Sequence, residues 1–189
     1  MKHIYKLLAF KSLILSIFIL FIGASTYAET TFEKIKRTGK VTVGTEAAFP
    51  PFEFVKDGKI VGYGKDILDY IIADLGVELN QLDLPWQGIL PGVLAGKFDF
   101  VATSVSIRAE RAKKYAFTVP IAEGTNWVMK RNGDTSIMSP DDLSGKVVCT
   151  QLASGSEKAT QEWEEDMKSR GLGGFKELKL FTAHPEATL

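Results

Sequence analysis

Apolar and polar residues recur with two different periods along the chain, and the period changes repeatedly between residues 40 and 102. Residues 40–44 alternate with a period of two and end at a glycine, which predicts a strand that runs into a loop. Between residues 65 and 75 the apolar positions recur at helical spacing, and Gly76 supplies a helix end. Strand, helix and strand are then predicted over 77–84, 88–96 and 98–102. A β-α-β-α-β order predicts a largely parallel sheet with helices on both faces, in the α/β class.

A hairpin and a second α/β segment complete this pattern. Residues 53–61 predict two short strands that turn at Asp57–Gly58. After Asn132–Gly133, the pair Ser139–Pro140 is typical of a helix start. Strand, helix and strand are then predicted over 146–150, 157–169 and 175–181. Two strands and one full helix cover both faces of a sheet poorly, so we expect an incomplete second lobe and a sequence that is incomplete at its C-terminus.

The first 28 residues have the pattern of an export leader. Three lysines precede an apolar run over 12–22, and the small residues Thr26 and Ala28 fit a cleavage site after Ala28. An apolar run of 11 residues is short against the roughly 20 that a membrane-spanning helix needs, which favours a cleaved signal peptide over an anchor. No cysteine directly follows the run, which excludes a lipid-modified N-terminus. We therefore expect a periplasmic protein whose mature chain begins at Glu29.

Composition and charge narrow the class of protein. The chain has 189 residues, 45% of them hydrophobic, with 23 basic and 23 acidic side chains. This composition excludes the disordered and disulfide-scaffold classes, and a net charge of zero gives no electrostatic reason to expect nucleic acid as a partner. Because the leader holds three lysines and no acid, residues 29–189 carry 20 basic and 23 acidic side chains. The mature protein is therefore mildly acidic.

The cysteine and histidine content argues against metal and hydrolase chemistry. Cys149 is the only cysteine, and its place in a predicted core strand indicates a small buried side chain. His3 falls in the leader, so His184 is the only histidine of the mature chain, where the pattern predicts a turn into a helix. These residues offer neither a metal cluster nor a serine–histidine–aspartate set. We expect no metal and no cofactor.

Three loops hold residues suited to a small ligand, and the first follows the strand over 40–44. Ligands of open α/β sheets bind in the crevice outside the carboxyl ends of the strands. Phe49 and Phe52 flank two prolines in this loop, and Trp86 follows another predicted strand, so the rings could either contact a ligand or fill the core. Glu46 is either a ligand contact or a solvated loop acid.

The second loop, over 102–112, groups hydroxyls with an arginine. Thr103, Ser104 and Ser106 follow a predicted parallel strand, and Arg111 lies further on. A guanidinium can hold a carboxylate through two parallel hydrogen bonds, so this group suits an anionic or zwitterionic small molecule. The alternative is a hydroxyl-capped turn beside a surface arginine.

The third loop is Ser154–Gly155–Ser156, at the start of a predicted helix. Free N–H groups at a helix start favour negative charge and would hold the same carboxylate from the second lobe. The same three residues also suit a plain helix cap. They indicate a ligand contact only in combination with the other two loops.

Four segments resemble, in order, the extracytoplasmic solute-binding proteins for polar amino acids, the receptor components of ABC importers (solute-binding protein family 3). The segments are 43–53, 62–67, 88–99 and 104–111. Members of that family have the type II periplasmic-binding-protein fold, in which two α/β lobes joined by two crossing strands close over the ligand. The resemblance implies a first lobe over 29–125 after the signal peptide of 1–28, and a crossing strand with an incomplete second lobe over 126–189.

The resemblance also implies roles for the candidate residues. Phe49 and Trp86 would sandwich the ligand, and Glu46 would face its side chain, which favours a polar or cationic amino acid. The hydroxyls of the second loop would hold its amino and carboxylate groups, while Arg111 would pair with the α-carboxylate, helped by N–H groups of the third loop. The predicted ligand-binding set is Glu46, Phe49, Phe52, Trp86, Thr103, Ser104, Ser106, Arg111, Gly155 and Ser156.

Some features depart from the family pattern. Many members have an aromatic residue where Ile121 follows Pro120, so the start of the first crossing strand could differ. Residues 152–156 align in two ways, which leaves the contacts of the second lobe open. The aspartate that commonly meets the ligand's ammonium, and the returning crossing strand, would lie beyond Leu189.

The sequence therefore predicts a monomeric binding protein without catalytic residues, which closes on an amino acid and then docks on an ABC permease in the inner membrane. The main alternative is a periplasmic dehydratase of the cyclohexadienyl or arogenate type on the same scaffold, for which Glu46 or Glu123 is the candidate general acid. A receptor lobe of a larger signalling chain is a third alternative.

Overall fold

The computed structural model describes residues 28–188. The export leader predicted over 1–28 lies, apart from Ala28, outside the described residues. Among the residues described, no helix is long and apolar enough to cross a membrane. The described residues fall into two units, residues 28–37 and residues 38–188.

Helix α1 (Thr31–Thr38) provides most of what is described of the first unit. Its start is a reciprocal cap. The Glu33 N–H donates to the hydroxyl of Thr30 at 3.2 Å, and the Glu33 carboxylate accepts from the Thr30 N–H at 2.8 Å. This contact fixes where the helix begins.

The second unit contains three sheets, and helices connect the strands of the two parallel ones. Its strands are β1 (Lys40–Thr45), β2 (Ala48–Phe49), β3 (Glu53–Lys56), β4 (Lys59–Val61), β5 (Glu78–Asp83), β6 (Phe100–Val101), β7 (Val147–Gln151) and β8 (Glu177–Phe181). Its helices are α2 (Tyr63–Leu75), α3 (Trp86–Leu94), α4 (Ala109–Ala112), α5 (Gly155–Ser169) and α6 (His184–Thr188), with a 3₁₀ turn over Pro140–Leu143. The sheet orders are β5-β1-β6, β2-β3-β4 and β7-β8.

The first sheet is parallel, as the alternating pattern predicts. β1 lies between β5 and β6, with Lys40 opposite Glu78 and Gly44 opposite Val101. A central strand is covered on both sides, and the side chains of Val41 and Val43 are fully buried. The carboxyl end of β1 therefore opens at the same edge as those of β5 and β6, where the first two predicted loops begin.

Two glycines make room for the ring of Phe98, which is buried. A Cβ atom at Gly44 would lie 2.6 Å from this ring, and a Cβ atom at Gly92 would also lie 2.6 Å from it. Real Cβ atoms do not approach so closely, so only glycine allows β1 and α3 to pack on the same ring. This packing fixes α3, and with it Trp86 at its first turn.

The hairpin predicted over 53–61 is confirmed. β3 and β4 pair antiparallel, and both Asp57 and Gly58 have positive φ angles, 50° and 72°, as a two-residue turn requires. The chain then folds back on the preceding loop, because the N–H groups of Tyr63 and Gly64 donate to the carbonyls of Pro51 and Phe52.

Several predicted elements have different bounds, and two of these differences involve a specific residue. The helix predicted over 88–96 begins at Trp86, so Pro91 lies inside it. Proline has no N–H, so the helix tolerates one missing backbone bond there. The strand predicted over 98–102 is reduced to two residues, because the Thr42 N–H of β1 donates to the side chain of Asp99 at 2.8 Å.

The second α/β segment contains the predicted parallel pair β7 and β8 and the helix α5. Residues 113–139 contain no helix or strand, and the crossing strand predicted from residue 126 stays a prediction. The boundary predicted between 125 and 126 stays a prediction.

Cys149 is exposed, so the prediction of a buried core cysteine is wrong. Successive side chains of a strand point to opposite faces, and Cys149 shares its face of β7 with Val147, which is also exposed. The described residues therefore leave this face of the short sheet uncovered.

Candidate functional site

A cleft of about 710 Å³ lies between the two α/β segments of the second unit. Nine of the ten predicted site residues line it: Glu46, Phe49, Trp86, Thr103, Ser104, Ser106, Arg111, Gly155 and Ser156. The carboxyl ends of β1 and β6 supply one wall, and β7 with the start of α5 supplies the other. Residues that are far apart in the sequence therefore meet in one place.

Phe52 lies outside this set. Its ring centroid is 5.4 Å from that of Phe49 in a stacked pair and 6.2 Å from that of Tyr63 in an edge-on pair. Because its ring packs between these two neighbours, Phe52 supports the wall of the cleft from behind. Its predicted contact with a ligand does not follow from this position.

Trp86 connects the two walls. Its indole N–H donates to the Ala153 carbonyl at 2.9 Å, and the neighbouring Gln87 amide donates to the carbonyls of Leu152 and Thr182. The guanidinium carbon of Arg111 lies 5.3 Å from the centroid of the indole ring, in a cation–π arrangement. The ring predicted as a free wall for a ligand is thus buried and also holds the arginine.

Arg111 is one of two arginines on the first wall. It donates to the Ser106 carbonyl at 3.2 Å, and among the described residues it forms no ion pair. Burial and the neighbouring charge of Arg108 lower the pKa of Arg111, yet a guanidinium stays protonated in any protein environment. A half-buried cation without a carboxylate partner is suited to bind an anion.

Arg108 also reaches the second wall, which sequence reasoning missed. Its guanidinium donates to the Gly155 carbonyl at 2.5 Å. A Cβ atom at Gly155 would lie 3.2 Å from the same group, so glycine permits the close approach. The sequence signal that could have identified Arg108 is its place in the second loop, two residues after Ser106 and three before Arg111.

The third predicted loop caps α5. The Ser154 hydroxyl accepts from the Glu157 N–H at 3.1 Å and donates to the Gln151 carbonyl. The Ser156 hydroxyl donates to Asn126 at 3.0 Å. The loop thus combines the two alternatives that the sequence left open, since it is a helix cap and also lines the cleft.

Glu46 is buried and meets the second wall through Gln151, whose amide donates to the Glu46 carboxylate at 2.5 Å. Burial raises the pKa of Glu46 above its ordinary value. The Gln151 hydrogen bond works against this rise, while the charges of Glu53 and Asp83 add to it. Gln151 was missed, although it ends β7 at the strand edge where the sequence rule places ligand contacts.

His184 is a third missed residue of the cleft. Its ring stacks on Phe49, with centroids 5.3 Å apart, and burial lowers the pKa of His184. The sequence predicts only a turn into a helix here, and α6 does begin at His184. Among the described residues, no group of histidine, cysteine, aspartate and glutamate side chains could hold a metal ion.

Glu53 fixes the hydroxyls of the second loop. Its carboxylate accepts from the Thr103 hydroxyl at 2.6 Å, the Ser104 N–H at 2.5 Å and the Ser104 hydroxyl at 3.0 Å. A Cβ atom at Gly64 would lie 2.6 Å from the same carboxylate, so this glycine leaves room for it. The sequence placed Glu53 in a family motif without giving it a role.

The chain matches bacterial extracellular solute-binding proteins, family 3, over residues 41–172. It belongs to this family. It is similar to a probable amino-acid ABC transporter-binding protein of Haemophilus influenzae, with 29% identity over 77% of this chain and 54% of the relative. The chain spans about half the length of the curated relatives that it matches.

Two solved structures are similar as well. An ancestral arginine-binding protein bound to arginine is 36% identical, with a TM-score of 0.71, over 79% of this chain and 63% of that one. The ancestral amino acid-binding protein AncCDT-1, a precursor of cyclohexadienyl dehydratase, is 31% identical, with a TM-score of 0.72, over 84% of this chain and 68% of that one. The predicted α/β fold of type II periplasmic binding proteins is thereby confirmed.

Proposed function

We propose that this protein is the periplasmic receptor of an amino-acid ABC importer and that the cleft binds a polar amino acid. The observation that carries the proposal is Arg111, a half-buried guanidinium without an ion pair among the described residues, in a cleft lined by eight of the other nine predicted residues. Such a group binds a carboxylate through paired hydrogen bonds. The cleft volume lies within the roughly 300–1,000 Å³ common for small-molecule sites.

The contacts across the cleft support closure around the ligand. Hydrogen bonds already join Trp86 to Ala153, Arg108 to Gly155 and Gln151 to Glu46. A ligand that contacts both walls stabilises this closed arrangement relative to an open one, and a permease can recognise the closed form. The ABC transporter named for the relative in Haemophilus influenzae supports a permease as the partner, and the monomeric state stays a prediction.

A cationic side chain of the ligand fits beside the carboxylate of Glu46. The buried carboxylate of Glu46 faces the second wall, with the charges of Glu53 and Asp83 acting on it. The arginine bound to the similar ancestral protein supports the same ligand class. We therefore propose arginine, lysine or histidine as the first ligands to test.

The test is thermal unfolding of the purified protein with each common amino acid in excess. Binding at about 100 times the dissociation constant stabilises the folded state by roughly 2.7 kcal/mol, which raises the Tm measurably. Arg111→Ala is expected to weaken binding about tenfold or more, because a charge-assisted hydrogen bond is lost. Lys113→Ala, at an exposed position that does not line the cleft, is the matched control. Unchanged affinity in Arg111→Ala would contradict the proposed carboxylate site.

A dehydratase on this scaffold is the second candidate. Its support is the burial of Glu46 in the cleft, which raises the pKa of its carboxyl in the direction that a general acid requires. The similarity to AncCDT-1, an amino acid-binding protein that is a precursor of cyclohexadienyl dehydratase, is a second support. Glu123 is exposed and does not line the cleft, so Glu46 is the better candidate acid of the two. Turnover of prephenate or arogenate that Glu46→Gln abolishes would favour the enzyme. Amino-acid binding without turnover would favour the receptor.

A further inference from the structure

The wall of the cleft formed by Thr103 and Ser104 is controlled by a carboxylate that a ligand does not reach. Glu53 is only 2% exposed and lies in β3, a strand of the hairpin sheet. It does not line the cleft, whereas Thr103 and Ser104 do. Both hydroxyls bond to its carboxylate, one to each oxygen.

These contacts set the direction of both hydroxyl groups. An ionised carboxylate only accepts hydrogen bonds, and each hydroxyl has a single proton to donate. The protons of Thr103 and Ser104 are therefore used on Glu53, and the oxygens keep only lone pairs for a ligand. This wall can accept hydrogen bonds from an ammonium group, but its hydroxyls cannot donate to a carboxylate.

The charge of Glu53 acts in the same direction. Among the described residues, its carboxylate makes hydrogen bonds with the loop and is in no ion pair. A negative charge in a buried position is weakly screened, so it favours a cation placed just beyond the hydroxyls. On the same wall, Arg111 provides the positive charge for an anion.

We propose that Glu53 is a positioning residue that makes the Thr103 and Ser104 hydroxyls acceptors for the ligand's α-ammonium group and leaves the carboxylate to Arg111. This inference rests on the proposed amino-acid-binding function and deepens it. It assigns the orientation of the ligand to a residue that the ligand does not touch. The ligand class that follows is a zwitterion with a free α-amino group.

Glu53→Gln is the test, because its shape is nearly the same but its amide offers an N–H₂ group in place of one carboxylate oxygen. At least one donor that now bonds to Glu53 must then turn away or lose its partner. The measurement is the affinity, by calorimetry, for the best-binding amino acid and for its analogue without the α-amino group. We expect the ratio of the two affinities to fall about tenfold, with little change for the analogue.

Controls separate positioning from loss of structure. Glu162→Gln, at an exposed position of α5, is expected to leave both affinities unchanged. If Glu53→Gln does not unfold cooperatively, Thr103→Val and Ser104→Ala remove the acceptors one at a time, and each is expected to reduce the same ratio. Equal losses of both affinities, or an unchanged ratio, in the variants that fold would overturn the inference while the proposed function stands. Failure of the wild-type protein to bind any amino acid would overturn the proposed function and the inference with it.

Discussion

The two α/β segments of the second unit differ in how firmly they hold their part of the cleft. In the first, a three-stranded parallel sheet buries Val41 and Val43, and α3 buries Ile89 completely. In the second, the sheet has two strands, and Leu180 of β8 is 41% exposed. Both segments place a strand end followed by a helix start at the cleft. In the first segment a packed core lies behind these residues, whereas in the second a partly exposed two-stranded sheet does.

This difference indicates which wall of the cleft has a preformed geometry and which wall can adjust to a ligand. The residues of the first wall are fixed by buried contacts such as those of Glu53 and Phe98, so their geometry exists before a ligand arrives. The second wall is joined to the first mainly by single hydrogen bonds. Trp86 and Arg108 donate two of them from the first wall, and Gln151 donates one from the second. We infer that the first wall recognises the ligand and that the second wall adjusts to it.

The largest expected effect comes from the core of the first segment. Ile89→Ala removes a fully buried side chain and leaves a cavity, so it is expected to lower the free energy of unfolding by about 2–5 kcal/mol. Leu180→Ala in the second segment is expected to change it by about 0.5 kcal/mol or less, because its side chain is partly in water. Chemical denaturation measures the free energy of unfolding of both variants. Equal losses of stability would contradict the difference in packing between the two segments.

A smaller effect is expected at the contact between the segments. Trp86→Phe keeps an aromatic ring on α3 but loses the hydrogen bond to the Ala153 carbonyl, which is expected to cost about 1 kcal/mol of stability. Trp127→Phe is the matched control, since Trp127 is 87% exposed and is expected to change nothing measurable. Stability of Trp86→Phe equal to that of the wild type would mean that the indole N–H does not hold the walls together.

The smallest expected effect is the pH dependence due to Glu46. Its raised pKa means that the folded chain keeps a proton that the unfolded chain has lost. The resulting stability is fully present below the ordinary glutamate pKa and is lost as the pH rises through the raised value. Glu46→Gln is expected to lack this loss, and the effect is limited because the Gln151 hydrogen bond opposes the rise.

Chemical denaturation of the wild type and Glu46→Gln between about pH 4 and pH 7 measures this difference. Glu162→Gln serves as the control for a glutamate that is exposed. Identical pH profiles for all three proteins would show that the carboxylate of Glu46 is not held in a destabilising environment.

Most elements of the fold follow from local patterns. The helix ended by Gly76, the turn at Asp57–Gly58 and the cap at Ser154 each depend on neighbours within a few residues, and all three are present as predicted. Parallel pairing also follows, because strands separated by helices leave few other arrangements. That rule places the strand ends, and hence most of the cleft residues, at one edge.

The missed contacts depend on residues that are far apart along the chain. Glu46 and Gln151 are separated by 105 positions, and Thr103 and Glu53 by 50. The spacing of apolar residues carries no information about which distant side chain accepts the proton of a given hydroxyl. The sequence could therefore name Thr103 as a candidate but not the direction of its hydrogen bond. The wrong prediction for Cys149 has a similar origin, since burial of a strand face depends on what covers it.

The ring of Phe98, with Gly44 and Gly92 against it, has a consequence for how this chain can vary. A methyl group cannot enter at either glycine while the phenyl ring is in place, and a smaller side chain at 98 would leave a void between β1 and α3. The three positions are therefore expected to change together or not at all in descendants of this sequence. The order of substitutions matters too, because a lineage that first shrinks the ring can later acquire alanine, whereas the reverse order passes through a steric clash.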